Sequence, residues 1–391
     1  FLHLVKANDP KLSPLALAEL NRKRTVAETL SLADGWFSLA KDAEESLARL
    51  MRSRSMKWYK AVAPELTGIA QQRVDQLLST YDTEPSTENR VKLLPIGKWS
   101  VKWKFEGTTW IQFNKEGNRI VCSSNGSAIS IFDLERGALE TKIRIRDFAT
   151  ETYACFIPDG DSLGVGVGRA GQLDIWESKT QNKRLTISAH KGDCGFVSSS
   201  PSGHELLTGG ADGTVKIWDA KNGQIKHVLN HGGAKFGRGL FSLDGKKVYV
   251  WSHELGNILV FDMATGNKIA TYNCHDKEIQ NVSESRVGNF LLTASADGTA
   301  KLIDKQTGKV RGVLEGHQKN VFCAVARPDG RVFATSAQDR TVRIWDAATR
   351  KTIQVLNGHT EDQVFCVQFS PNGKLLASCS YNETLIWEQQ P

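Results

Sequence analysis

Residues 316–346 read GHQKNVFCAVARPDGRVFATSAQDRTVRIWD, and the organisation of the whole chain can be worked out from this segment. Its three apolar runs lie at 321–326, 332–335 and 342–345, and its two turns lie at 328–330 and 338–340. Runs of four to six residues bounded by Asp, Gly and Pro predict strands of an antiparallel meander. One small sheet of this kind cannot bury both of its faces, so the segment requires copies of itself.

The copies are present at a regular period. The closing Trp-Asp pair recurs, intact or substituted, with spacings of 42 to 44 residues. Its positions are Phe132-Asp133, Trp176-Glu177, Trp218-Asp219, Phe261-Asp262, Ile303-Asp304, Trp345-Asp346 and Trp387-Glu388. The opening histidine recurs as His190, His231, His275, His317 and His359. A self-similar period of this length is typical of repeat architectures.

The repeats resemble the WD40 family, which has a period of about 40–45 residues with Gly-His and Trp-Asp marks. The resemblance covers residues from about 98 to 388. It implies a mainly β fold, a β-propeller of four-stranded blades around a central channel. Seven closing pairs imply seven blades, so residues 98–391 are predicted to form a seven-bladed propeller.

The ends of the repeat region indicate how the ring closes. The outer strand of blade six is predicted at Thr352–Leu356, just before Gly358-His359. Only three residues follow Trp387-Glu388, so the last blade lacks an outer strand at its C-terminal end. Residues 98–103 alternate polar and apolar side chains, as a half-buried strand does. In the WD40 family a strand from before the first blade closes the ring. Residues 98–103 are therefore predicted to complete blade seven, which would leave no raw sheet edge there.

Residues 1–79 have a helical texture and are predicted to form a small α-helical domain of the helical-hairpin kind. Thr25 and Glu28 have the spacing of a capping box at a helix start. A second helix is predicted over 44–63, ended by Pro64, and a third over 69–78. The polar stretch 80–97 is interpreted as a linker to the propeller.

The segment 32–68, LADGWFSLAKDAEESLARLMRSRSMKWYKAVAPELTG, resembles a helical module that recurs in many planctomycete proteins. This resemblance predicts a bacterial, planctomycete-like protein, and it favours export because relatives of the module are often exported. The chain begins at Phe1 in mid-pattern, so we interpret it as a fragment with its helical domain truncated at the N-terminus.

Composition limits the classes of partner and compartment. Lys and Arg number 50 against 43 Asp and Glu, a net charge of +7, with no long basic run, which predicts no nucleic-acid partner. No apolar stretch approaches ~18 residues, which predicts no membrane span. The seven cysteines include no CxxC pair and are interpreted as buried free thiols, which favours a reducing interior. The compartment therefore stays open between export and cytoplasm.

Motifs for catalysis are weak. Residues 166–171 match GxGxxG, but a strand rather than a helix is predicted to follow, so we interpret them as a hairpin turn and not a dinucleotide site. The repeat histidines lie about one period apart, unlike clustered metal ligands. No catalytic residue, cofactor or metal site is predicted, and the chain is predicted not to be an enzyme.

The WD40 resemblance implies a structural role for the repeat histidines. In that family a His, a strand Ser or Thr, a turn Asp and the closing Trp form a hydrogen-bonded tetrad within a blade. The complete sets are His190, Thr208, Asp212 and Trp218 in blade three, and His317, Thr335, Asp339 and Trp345 in blade six. Blade five has Ile303 in place of Trp, and blade seven has Asn382 in place of Asp.

Function must then be sought on the propeller surface. The resemblance implies that the residue after the first-strand anchor lies near the channel mouth, at Thr109, Thr152, Gly195, Gly237, Gln280, Phe322 and Phe365. The two phenylalanines are either interface anchors or plugs of the channel. The first hypothesis is a non-catalytic scaffold that presents a propeller face to a protein or peptide. The alternatives are a ligand- or carbohydrate-binding propeller, and the C-terminal module of a larger enzyme.

Overall fold

The computed structural model divides the chain into two compact units, residues 1–92 and 93–391. The structure describes residues 25–39, 55, 58–59, 62, 65–66, 70–74, 77, 97–106, 110–123, 128–145, 152–159, 161–230, 237–252, 254–360, 363–381 and 383–390. Thr109, His231 and Asn382 and most of the interpreted linker lie outside these residues.

The first unit contains helix α1, Val26–Leu39. Its start is the predicted capping box, in which the Thr25 N–H donates to the Glu28 carboxylate (2.8 Å) and the Glu28 N–H lies 3.3 Å from the Thr25 hydroxyl. The described residues of the predicted second and third helices are all helical: 55, 58, 59, 62, 70–74 and 77. Residues 65 and 66 lie between the two predicted helices. Asp34 of α1 accepts hydrogen bonds from the Tyr59 hydroxyl (2.5 Å) and from Arg73 (2.6 Å).

The described residues of the second unit form 28 strands. In chain order, β1 is Trp99–Glu106, followed by β2 (Trp110–Phe113), β3 (Arg119–Ser123), β4 (Ala128–Asp133), β5 (Ala138–Arg144), β6 (Thr152–Phe156), β7 (Ser162–Val167), β8 (Gln172–Glu177), β9 (Lys183–Ser188), β10 (Cys194–Ser199), β11 (Glu205–Gly210), β12 (Thr214–Asp219), β13 (Ile225–Asn230) and β14 (Gly237–Phe241).

The second half of the unit continues with β15 (Lys247–Ser252), β16 (Asn257–Asp262), β17 (Lys268–Asn273), β18 (Ile279–Glu284), β19 (Phe290–Ser295), β20 (Ala300–Asp304), β21 (Val310–Leu314), β22 (Val321–Ala326), β23 (Val332–Ala337), β24 (Val342–Asp346), β25 (Thr352–Leu356), β26 (Cys366–Phe369), β27 (Leu375–Cys379) and β28 (Glu383–Gln389).

These strands form seven antiparallel four-stranded sheets, so the predicted seven-bladed propeller is confirmed. Six sheets follow chain order, from β2–β5 in blade one to β22–β25 in blade six, and blade seven has the order β26-β27-β28-β1. The predicted outer strand of blade six, Thr352–Leu356, is β25. The three apolar runs of residues 316–346 form β22, β23 and β24. The last two strands extend slightly further than predicted.

Burial is greatest in the second strand of a blade, which the neighbouring blades cover on both faces, lower in the innermost strand and lowest in the outer strand. In blade six every residue of the second strand, β23, is buried, whereas four of the five residues of the outer strand β25 are exposed or half-buried. The core therefore lies between blades. Leu207 and Val215 of blade three, for example, pack in one cluster with Phe241 and Val248 of blade four.

The ring is closed by β1, as predicted. It pairs antiparallel with β28, from Trp99 opposite Gln389 to Glu106 opposite Glu383, with a bulge between Val101 and Trp103. Ion pairs flank the ladder: Lys102 Nζ lies 2.7 Å from Glu388, and Lys104 Nζ lies 2.5 Å from Glu383. Closure therefore joins the two ends of the propeller region through backbone and side-chain contacts.

A second attachment ties the closing strand to blade six. The backbone N–H of Trp99 donates to the side-chain oxygen of Gln354 on β25 (2.9 Å), and the Gln354 amide donates back to the Trp99 carbonyl (3.0 Å). A reciprocal pair of this kind satisfies two backbone groups at the start of β1 that have no ladder partner on that side.

Candidate interaction surface

Blade three brings together all four side chains of its expected tetrad. His190 Nδ1 lies 2.9 Å from Asp212 Oδ1, and His190 Nε2 lies 2.8 Å from the Thr208 hydroxyl, which also accepts the Trp218 indole N–H at 2.8 Å. A carboxylate only accepts, so Nδ1 carries the ring proton and Thr208 donates to Nε2. The four groups form one chain of hydrogen bonds, which runs from Trp218 on β12 through Thr208 and His190 to Asp212 in the turn.

Blade six repeats this arrangement. His317 Nδ1 lies 2.8 Å from Asp339, His317 Nε2 lies 2.7 Å from the Thr335 hydroxyl, and the Trp345 indole donates to Thr335 at 2.8 Å. Burial raises the pKa of Asp339, but the hydrogen bonds from His317 and Thr341 together lower this pKa by a larger amount. The pKa of Asp339 therefore lies well below its usual range. The turn is thereby anchored to the opening histidine by a carboxylate that stays ionised.

Blade five keeps three members of the set. His275 lies 2.7 Å from both Asp297 and the Thr293 hydroxyl, and Ile303 stands where blades three, six and seven have Trp. The Thr293 hydroxyl also lies 3.2 Å from the Lys301 carbonyl. Loss of the indole donor therefore leaves the His–Asp contact intact.

Blade seven uses a residue that sequence reasoning missed. His359 Nε2 lies 2.7 Å from the Ser378 hydroxyl, which accepts the Trp387 indole N–H at 2.8 Å. His359 Nδ1 lies 3.2 Å from Glu383, the residue after the expected position, and Glu383 is the partner of Lys104 on the closing strand. Glu383 thus connects the hydrogen-bonded set of blade seven to β1, the strand that closes the ring.

Substituting Asp339 with alanine is expected to destabilise the propeller by about 1–3 kcal/mol, because the His317 and Thr341 donors lose their buried acceptor. The measurement is the free energy of unfolding in urea. Asp276→Ala, on an exposed aspartate, is the control and is expected to change stability by less than about 0.5 kcal/mol. Equal stability of the two variants would refute a structural role for the turn Asp.

The stability of blade seven is expected to depend on pH through His359. Burial lowers the pKa of His359 to about 4, only partly opposed by the Glu383 carboxylate. The unfolded chain takes up this proton near pH 6.5, before the folded chain does, so stability falls as pH drops from about 6.5 to about 4. The expected loss is on the order of 1–3 kcal/mol.

Urea unfolding measured at several pH values checks this window. His359→Gln is expected to flatten the decline between pH 6.5 and 4, whereas His204→Gln, on an exposed histidine, leaves it as in wild type. A decline of unchanged steepness in His359→Gln would show that other groups produce it.

The residues predicted at the channel mouth share one structural feature. In blades three, five and six, Gly195, Gln280 and Phe322 each occupy the bulge at the start of the innermost strand, where the ladder register shifts. Bulges re-aim side chains. Thr152 and Gly237 are buried in blades two and four, and Thr109 lies outside the described residues.

Three aromatic side chains come together on blades six and seven. The Phe322 and Phe365 rings lie with centroids 5.5 Å apart, and Phe365 meets Tyr381 edge-on at 4.5 Å. Tyr381 is 47% exposed, and both phenylalanines are half-buried. We call Phe322, Phe365 and Tyr381 the aromatic cluster. Its third member, in the turn between β27 and β28, carries no repeat signal and was not predicted.

The channel is a cavity of about 560 Å³ bounded by the innermost strands. At the end where these strands begin, its wall is formed by the residues one position after the predicted mouth set: Trp110, Phe196, Arg238, Asn281, Cys323 and Cys366. The predicted mouth set therefore contains bulge residues of the rim, whereas the residues that line the channel follow one position later.

Polar side chains of the innermost strands join neighbouring blades. The Gln368 side-chain oxygen accepts the Phe113 N–H (2.9 Å), Gln112 accepts the Phe156 N–H (2.7 Å), and the Ser199 hydroxyl donates to the Phe156 carbonyl (2.8 Å). These amides and hydroxyls are occupied in holding the ring together, which explains their polarity without a ligand.

A cation and two aromatic rings meet across the channel. The Arg238 guanidinium of blade four lies 5.8 Å from the ring centroids of both Trp110 in blade one and Tyr153 in blade two, whose rings meet edge-on at 6.3 Å. This is the distance range of cation–π contacts. The contact links blades that are not neighbours in the ring.

Catalytic and metal chemistry find little support in the part of the chain that the structure describes. It contains no group of three or more His, Cys, Asp and Glu side chains arranged to hold a metal ion. The seven cysteines are buried and unpaired, as predicted. The GxGxxG segment 166–171 ends β7 and turns directly into β8, so it opens no helix that could hold a pyrophosphate.

Among the described residues, none of the helices has the length and apolar character needed to cross a bilayer.

Comparison with known families finds WD40 repeats in this chain. Residues 181–219, 266–304, 308–346 and 350–387 match the sequence model of the WD40 family, described as WD domain, G-beta repeat. These matches fall in the blades where the repeat marks are most complete, together with the outer strands that precede them. The WD40 resemblance is thereby confirmed, whereas the helical-module resemblance stays a prediction.

Curated relatives match parts of the chain. Angio-associated migratory cell protein of Homo sapiens is 32% identical over 166 residues, 41% of this chain and 37% of its own length. Autophagy-related protein 16 of Arabidopsis thaliana is 23% identical over 316 residues (76% and 58%), and Eukaryotic translation initiation factor 3 subunit I of Coccidioides immitis is 28% identical over 179 residues (42% and 52%). The matched regions cover less than two thirds of each of these relatives.

Proposed function

The chain carries WD40 repeats within a seven-bladed β-propeller, and from this premise we propose that it is a non-catalytic scaffold for protein–protein interaction. The propeller would present the face where the innermost strands begin to a protein or peptide partner. In this proposal residues 98–391 supply that face, and the helical domain of residues 1–79, joined by the linker 80–97, positions it or recruits a second partner.

The observation that carries the proposal is the aromatic cluster. Three large rings occupy one sector of the face, and Tyr381 exposes 47% of its surface. Aromatic side chains with half-buried bodies and exposed edges are the usual anchors of protein interfaces, because they add large contact area at a small entropy cost. Support also comes from a relative whose name, initiation factor 3 subunit I, makes it a component of an assembly.

A ligand- or carbohydrate-binding propeller is the second candidate, favoured by the cavity of about 560 Å³. Many of its polar side chains already bond to neighbouring blades, as Gln112 and Gln368 do. A small-molecule site needs polar groups that remain available to the ligand. We therefore rank the scaffold first. The third candidate, the C-terminal module of a larger enzyme, remains compatible with the chain.

The test is affinity capture from the source organism with wild type and with the double variant Phe322→Ala/Phe365→Ala. We expect the double variant to lose most partner signal, measured by quantitative mass spectrometry. The matched control is Leu139→Ala/Ile225→Ala, which removes two aliphatic side chains, 52% and 48% exposed, from the outer strands. Identical partners for wild type and the aromatic double variant would remove the aromatic cluster as the binding surface.

A further inference from the structure

Arg238 lines the channel and, within the described part of the chain, has no anionic partner. Its guanidinium contacts the faces of Trp110 and Tyr153, and among the residues that the structure describes it forms no ion pair. Guanidinium is always charged and carries five N–H donors in its own plane. Cation–π contacts use the charge but leave those in-plane donors available, so Arg238 can still bind an acceptor.

A second donor lies beside it. Trp251 stands directly opposite Arg238 in the β14–β15 ladder, lines the same cavity and is 5% exposed. Its indole N–H has no hydrogen-bond partner among the described residues. An unpaired buried donor costs about 1–3 kcal/mol, so a group that accepts from Trp251 would recover this loss. Two paired strand positions thus offer donors without acceptors.

The carboxylate on the neighbouring inner strand is already engaged. Glu284 of β18 pairs with Lys305 and accepts the Leu243 N–H at 2.8 Å. It therefore has its own partners and does not serve Arg238. The Arg238 end of the cavity is left with a positive charge, two available kinds of N–H donor and the ring of Trp110, and Tyr153 packs beside Arg238 and Trp110. These features complement an anion carried on a short apolar stem.

We propose that Arg238 and Trp251 form a subsite that binds the side-chain carboxylate of an Asp or Glu residue in a partner peptide. Arg238 supplies charge and a bidentate fork, Trp251 supplies a buried N–H, and Trp110 and Tyr153 pack against the methylenes of the acidic side chain. This subsite rests on the proposed scaffold function and specifies the chemistry of the partner that enters the channel.

The test uses the immobilised chain of residues 1–391 and a degenerate heptapeptide library. The central residue is fixed as Glu, Asp, Gln or phosphoserine, and retained peptides are quantified by mass spectrometry. We expect Glu or Asp peptides to be retained at least about tenfold over Gln peptides, and Arg238→Gln to abolish this preference. A charge-assisted bond of about 1.5–3 kcal/mol corresponds to about ten- to a hundredfold in affinity.

The matched control is Arg286→Gln. Arg286 is exposed and lines the opposite end of the same cavity, so the substitution makes the same charge change away from the subsite. It is expected to keep the acidic preference. Equal loss in both variants would reduce the effect to net charge and overturn the subsite. So would equal retention of Glu and Gln peptides, or retention of phosphoserine peptides alone.

Arg238→Lys keeps the charge but not the planar fork, and it is expected to weaken the acidic preference about threefold or more. It also covers the case in which Arg238→Gln melts at a clearly lower temperature. Full acidic preference in Arg238→Lys would refute the bidentate fork.

The two proposals can fail separately. If the aromatic double variant loses its partners while Arg238→Gln binds all peptides as wild type does, the subsite fails and the scaffold stands. If neither variant loses binding, both fail.

Discussion

Replacing Asp329 with alanine is expected to lower the free energy of unfolding of the propeller by about 3–5 kcal/mol. Asp329 sits in the first turn of blade six and holds Arg327, a side chain that is 0% exposed. Arg327 Nε donates to Asp329 Oδ1 at 2.9 Å, and Arg327 Nη2 lies 2.8 Å from Oδ2. Without Asp329 the buried guanidinium loses the carboxylate that it contacts through Nε and Nη2, and this causes most of the loss.

The position of the pair adds to its effect. Arg327 also donates to the Gln389 side chain of β28 (3.1 Å), and the Gln389 amide reaches the Gly97 carbonyl (3.3 Å) at the start of the closing strand. Urea unfolding followed by tryptophan fluorescence measures the change. Asp159→Ala, at the same turn position of blade two but exposed, is the matched control and should cost about 1 kcal/mol or less.

A double variant separates the buried charge from the turn. Arg327→Met/Asp329→Asn removes both charges and keeps an acceptor for the Arg331 N–H, which Asp329 Oδ1 accepts at 3.0 Å. It is expected to be more stable than Asp329→Ala, because replacing a whole buried ion pair costs less than breaking it. A double variant as unstable as Asp329→Ala would show that the turn, and not the buried guanidinium, accounts for the loss.

Substituting Phe105 with alanine should produce a destabilisation of similar size, about 3–5 kcal/mol. Phe105 lies on β1, is 6% exposed and stacks on Phe132 of blade one with ring centroids 4.1 Å apart and planes at 17°. Truncation removes the apolar contact and leaves a cavity between the closing strand and blade one. Urea unfolding again provides the measurement.

The control for Phe105 lies on the same strand. Val101 is 45% exposed, and Val101→Ala should change stability by less than about 1 kcal/mol. Limited proteolysis provides a second reading, because Phe105→Ala should expose β1 to cleavage earlier than Val101→Ala does. If the two variants unfold at the same urea concentration, β1 contributes its backbone pairing alone and the side-chain contact has no measurable weight.

The propeller could be predicted from sequence because each blade is specified locally. Two-residue alternation, Asp-Gly turns and a constant period are readable within 40 residues, and β25 was predicted with the observed bounds. The capping box of Thr25 and Glu28 is equally local. Closure by β1 followed from counting strands, since seven repeats with six outer strands leave one strand to be supplied from elsewhere.

The candidate site could be predicted only in part, because it is assembled across blades. Arg238, Trp110 and Tyr153 come from three repeats, and no spacing rule relates them. Glu383 was missed because it lies five residues after Ser378, whereas Asp212 lies four residues after Thr208. A one-residue shift transfers the acceptor to the neighbouring residue.

The closing strand has a consequence for how the protein is made. Ser100 of β1 and Gln390 are bonded across 290 residues of chain, so β1 leaves the ribosome long before its partner strand exists. Contacts of such long range slow folding, and waiting strand edges invite mispairing. A nascent chain that ends anywhere before β28 therefore contains an open propeller with two unpaired sheet edges. Closure of the propeller is therefore a single late step, and chaperones that bind nascent chains would protect the open sheet edges until β28 has been synthesised.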